Sequence, residues 1–173
     1  MEKKLKFSRG TIIAAFISGV WLCLTLFILG LFKITIAWPA FMPFVLFTLI
    51  GWKTDQIKNI FCGGVVGILM GGLVLKGIYL VIGKTGVYNT LLIPIFIAIF
   101  LLVVLGETLP MLFNNYTFCF YTITFASPQQ DTLQWLIVML LGGAFYFGGM
   151  LMLLRLFIKQ ELPIVEKANE EAA

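Results

Sequence analysis

The sequence contains no histidine, which removes the commonest general base and metal ligand along with any Ser-His-Asp or Cys-His arrangement. Its three cysteines, Cys23, Cys62 and Cys119, lie inside apolar stretches, and an odd number without a CxxC pair excludes a disulfide framework or a zinc site. They read as buried thiols. Charge is scarce too: 12% of residues are charged and 61% are hydrophobic, against about 25% and about 45–50% in a soluble domain. A water-soluble monomer is excluded, and an integral membrane protein follows. No enzymatic activity, cofactor or metal is expected from such a chain.

At about 20 residues per spanning helix, 173 residues allow six spans with almost nothing left over. The apolar runs fall at 11–31, 34–52, 57–82, 88–105, 109–126 and 133–157, separated by short polar or glycine-bearing turns. The basic N-terminus runs directly into the first of them, with no small-residue cleavage pattern, so that run is expected to be a span and not a removed signal peptide. The expected fold is all-α: one polytopic membrane domain over 1–158, with a charged cytoplasmic tail over 159–173.

Basic residues collect on the cytoplasmic side of membrane proteins. With the N-terminus inside, that side carries Lys3, Lys4, Lys6, Arg9, Lys53, Lys58, Arg155, Lys159 and Lys167, while Lys33, Lys76 and Lys84 lie opposite. This bias predicts two cytoplasmic termini and an even number of spans. It also accounts for the basic N-terminus without nucleic-acid binding. Trp38, Trp52 and Trp135 fall near predicted span ends, where they would serve as interfacial anchors or pack between helices.

The two halves of the chain echo each other. Gly63, Gly64, Gly67, Gly71 and Gly72 in the third run correspond to Gly142, Gly143, Gly148 and Gly149 in the sixth, each group preceded by a turn with one aspartate, Asp55 or Asp131. The aromatic-rich stretches 41–48 and 118–125 correspond as well, at an offset of about 76–79 residues. An odd number of spans per unit would insert the second unit upside down, giving two inverted three-helix repeats at 8–83 and 84–158. Gly63, Gly67 and Gly71 fall every four residues and permit close helix approach, as do Gly142, Gly148 and Gly149 less regularly. Packing of the third span on the sixth, or contact between copies in a homo-oligomer, would use them.

Polar and helix-breaking residues concentrate in the second and fifth runs. Pro39 and Pro43 remove backbone donors from the second. The fifth carries Asn114, Asn115, Tyr116, Thr117, Tyr121, Thr122 and Thr124, and Phe41, Phe44, Phe47, Phe118 and Phe120 offer apolar walls. If these two runs face each other, the mixture suits a path for a small uncharged or weakly polar solute. If not, the asparagines join neighbouring helices, or mark a loop between them. Charge at membrane depth, the usual sign of ion coupling, is confined to Lys76, which can snorkel, and Glu107, in a turn.

The order Ile17, Ser18, Gly19, Val20, Trp21, then Trp38 before an aromatic-rich span, a glycine-rich third span, and Leu109 with Pro110 opening a polar fifth resembles the bacterial inner-membrane proteins grouped as domain of unknown function 1097. The similarity covers most of 11–157. It implies a small helical inner-membrane protein and brings no catalytic residue. The expected function is a cofactor-free channel or facilitator embedded in the lipid bilayer. The alternative is a membrane scaffold or accessory subunit without transport, and a lipid-modifying enzyme is the more distant third reading.

Overall fold

The computed structural model describes residues 9–85, 92–127 and 131–157, and among them every regular element is helical. The elements are α1 (Arg9–Leu31), α2 (Trp38–Leu49), a 3-10 turn (Thr54–Gln56), α3 (Ile57–Thr85), α4 (Leu92–Thr108), α5 (Asn115–Ala126), α6 (Thr132–Ile137), a π turn (Val138–Gly142) and α7 (Gly143–Phe157). The last three follow one another as a single rod. Among the described residues, three helical stretches are long and apolar enough to cross a membrane: Ile12–Leu31, Thr54–Ile78 and Thr132–Phe157. The tail over 159–173 lies outside the described residues.

The second and fifth runs are less helical than their apolarity suggests. Both α2 and α5 have 12 residues, a rise of about 18 Å against a hydrocarbon core of about 30 Å. The cause is local. Pro39 suits a first turn, where its missing N–H would be unpaired anyway, and α2 opens at Trp38 with residues 34–37 irregular. Asn114 caps α5 and fixes its start, leaving 109–114 as turns. At their other ends α1 and α2 close alike. Lys33 (φ 59°) and Gly51 with Trp52 (φ 73° and 66°) turn left-handed, and the amides of Ile34 and Trp52 reach back five residues to the carbonyls of Leu29 and Phe47. Phe44 and Phe47 hold the strained Trp52 through edge-to-face contacts at 5.7 and 5.5 Å.

Element spacing is shared between the halves. Leu31 and Thr108 end α1 and α4, Trp38 and Asn115 open α2 and α5, and Leu49 and Ala126 close them; each pair lies 77 residues apart.

Glycine positions decide which helices touch. The α3 face bearing Gly63, Gly67 and Gly71 receives α5, with Thr117 against Gly63, Phe120 and Tyr121 against Gly67, and Thr124 against Gly71. Residue numbers rise together along both helices, so α3 and α5 run parallel. The rod Thr132–Phe157 seats α2 in the same way, with Gly142 beside Ala40, Gly143 beside Pro43 and Phe147 beside Phe47, again parallel. Across α3, Gly64 meets Met139 and Gly72 meets Thr132, so the rod runs antiparallel to α3. The rod also takes α1 antiparallel: Leu29 lies by Gly142, Trp21 fills the notch at Gly149, and its Nε1 donates to the Tyr146 carbonyl at 3.0 Å. The glycines therefore serve mainly the short helices, where α3 against α6–α7 was expected. A short helix must approach closely to bury itself, and a missing Cβ allows that. Gly148 has nothing within 4 Å.

Candidate functional site

The asparagine cluster is built into a cap. Asn114 Oδ1 accepts from the amides of Tyr116 (2.9 Å) and Thr117 (3.1 Å), and Thr117 Oγ1 accepts from the Asn114 amide at 3.2 Å, closing a capping box. Asn114 Nδ2 donates to the carbonyls of Pro110, Met111 and, across to α3, Asn59, at 3.0, 3.1 and 3.3 Å. Thr117 Oγ1 donates to the Leu112 carbonyl at 2.6 Å. These groups are committed to holding α5 on α3 and have little capacity left for a solute. Replacing Asn114 with Ala is therefore expected to cost about 1–2 kcal/mol, read as a lower melting temperature in detergent. Asn115 is exposed, so Asn115→Ala should melt like the parent protein.

The other polar side chains of α5 divide by face. Thr122 and Phe118 are exposed, and Thr122 Oγ1 returns to the Phe118 carbonyl at 2.8 Å. Tyr116 is half-buried, and Tyr121 and Thr124 are buried on the α3 side. On α2, Pro39 and Pro43 are buried, while half-buried Phe41 and Phe44 meet the Tyr146 ring edge-to-face at 4.8 and 5.6 Å. The expected path residues thus form two groups, one on α3 and one on α7. They meet where Trp38 of α2 lies 6.0 Å from Phe120 of α5.

That meeting point has unusual polar features. Trp38 also packs edge-to-face on Trp135 of α6, with ring centroids 5.4 Å apart, and Trp135 is fully buried. Trp38 Nε1 and Trp135 Nε1 are both shielded from solvent without a hydrogen-bond partner among the described residues. The backbone is irregular at the same level. Pro43 has no N–H for the Pro39 carbonyl, and the π turn Val138–Gly142 faces α2 through Gly142 and Ala40. Unpaired polar groups and broken helical bonding at depth are costly in a dry core and characteristic of binding sites.

Sequence reasoning read Trp38 and Trp135 as interfacial anchors or as packing between helices, and did not pair them with each other. Asp131 caps α6 through the Gln134 amide at 3.0 Å and so fixes where Trp135 stands in the helix, but a cap carries no sign of its contact with Trp38. Among the described residues no three His, Cys, Asp or Glu side chains gather as a metal site. Cys23 is exposed, Cys62 and Cys119 are half-buried, and all three are free thiols. A separate open groove of about 360 Å³ between α3 and α4 has apolar walls, including Met70, Leu73, Ile97 and Ala98.

The family described as protein of unknown function, DUF1097, matches residues 11–154. No curated protein and no solved structure matches the chain.

Proposed function

Because the chain belongs to the DUF1097 family, whose description assigns no activity, we propose its function from geometry: a multi-pass inner-membrane facilitator for a small uncharged solute. The chain would cross the bilayer six times as two inverted three-helix repeats, 8–83 and 84–158, with both termini cytoplasmic. One observation carries this reading. Elements 77 residues apart occupy corresponding places yet run in opposite directions, since α2 follows the rod, α5 follows α3, and the rod opposes α3. Inverted pairing of this kind, with shortened helices beside irregular backbone, is a design of membrane transporters and channels, whose sites lie between the repeats. The solute path then runs past Trp38, Phe120 and Trp135. A scaffold role is favoured by a different observation, that the richest polar cluster is spent on capping α5.

Two measurements test the proposal. In a background without Cys23, Cys62 and Cys119, a cysteine placed at Gln129 should react with an impermeant reagent outside the cell, and one at Thr54 should not; reversed labelling overturns the topology. Liposomes holding the purified protein should swell faster than empty ones in an isosmotic gradient of acetamide or glycerol. Equal rates across the panel would favour the scaffold.

A further inference from the structure

We propose that Trp38 and Trp135 form a docking point for a small uncharged solute that accepts hydrogen bonds, with a simple carboxamide as the model ligand. The inference deepens the transport reading by naming the solute class, and it rests on that reading only for its physiological meaning. An indole Nε1–H is a donor and nothing else, so it is satisfied only by an acceptor. Here two such donors, on rings 5.4 Å apart, are both shielded from solvent and both without an acceptor among the described residues. The rings do not satisfy each other. They are inclined at 72°, and in an edge-to-face pair only one ring directs its edge at the other, so at most one N–H rests on a π face, itself a weak contact.

The surroundings define the ligand further. Both indoles belong to a cluster of apolar side chains that includes Phe47, Ile60, Phe120 and Met139. A carboxylate or other anion among such side chains pays a far larger desolvation cost than a neutral carbonyl. A carboxamide meets the two indole donors with a neutral acceptor.

The four tryptophans give a direct readout. In the full-length protein labelled with ¹⁵N-indole in detergent micelles, each Nε1–H gives one signal, assigned by single Trp→Phe variants, and acetamide is titrated in. The Trp38 and Trp135 signals should move downfield and saturate. The Trp21 signal, whose proton already binds the Tyr146 carbonyl, should stay in place. In Trp135→Phe the midpoint seen at Trp38 should weaken by about fivefold, the value of one lost hydrogen bond. Sodium acetate, of the same shape but charged, should produce no saturable shift.

Four results overturn the inference: fixed Trp38 and Trp135 signals, a parallel shift of Trp21, saturation by acetate in place of acetamide, or indole signals already at a bonded position and unmoved, the mark of a permanent acceptor such as water. Acetamide flux into liposomes separates this inference from the transport reading. A saturable shift without protein-dependent flux keeps the docking point and removes the transport reading. Flux with unmoved indoles does the reverse.

Discussion

Replacing Gly67 with leucine is expected to prevent α5 from seating on α3 and to leave the protein unfolded in detergent. A Cβ at this position would stand 2.5 Å from the Thr117 carbonyl oxygen, 2.7 Å from Phe120 Cβ and 2.9 Å from the Tyr121 amide nitrogen. Two of these are backbone atoms of a helix whose start is fixed by the Asn114 cap, so they cannot yield as a rotatable side chain would. Overpacking costs about 1–3 kcal/mol where neighbours can shift, and a whole helix displaced from its groove belongs above that range. A total stability of about 5–15 kcal/mol leaves little margin for such a change. The control is Gly148→Leu on the rod, where a Cβ meets nothing within 4 Å and the melting temperature should match the parent. If both variants melt alike, the close packing of α3 on α5 is wrong.

The contrast between Gly67 and Gly148 shows how much of the fold the sequence carried. Both stand in glycine-rich runs, and spacing alone assigned both to helix packing. The helical class and the ends of α1 and of the rod were legible because apolar length is a property of the chain itself. Which helix fills a given glycine notch is not such a property. It depends on where α2 and α5 begin, and that is decided by a proline in a first turn and by an asparagine cap.

The candidate site was legible in composition and not in location. Asn114 drew attention as an amide at membrane depth, but an asparagine three residues before a threonine also fits a helix cap; its Oδ1 serves the capping box and its Nδ2 donates to the Pro110 carbonyl. Trp38 and Trp135 looked like interfacial anchors because each follows a turn. Their burial comes from pairing between the two halves, which no local pattern reveals. The π turn was equally hidden, since the residues 138–142 read as ordinary helix. It becomes conspicuous only beside Pro43 of the facing helix.

Expressed separately, residues 1–85 and 86–173 should each be recovered poorly, whereas expressed together they should assemble into a folded complex. The reason lies in how the halves share their contacts. In the first half, α1 and α2 lean on the rod of the second, and the glycine face of α3 is filled by α5. Each half alone therefore exposes the notches that its partner fills: Gly63, Gly67 and Gly71 on one side, and Gly142, Gly143 and Gly149 on the other. Helices in lipid are held by packing and hydrogen bonds more than by hydrophobic burial, so empty notches are a direct loss of stability. Each 1.4 kcal/mol is tenfold in equilibrium, and several lost interfaces should reduce the folded yield of a lone half by more than about tenfold relative to co-expression. The complex should also keep the hydrogen bond from Trp21 to the Tyr146 carbonyl, which crosses between the fragments and can be followed through the indole signal. Recovery of the first half alone as a folded homodimer would give a different answer. It would mean that a second copy can occupy the glycine face of α3, so that the specificity for α5 lies in the chain connection and not in the fit of Thr117, Phe120 and Thr124.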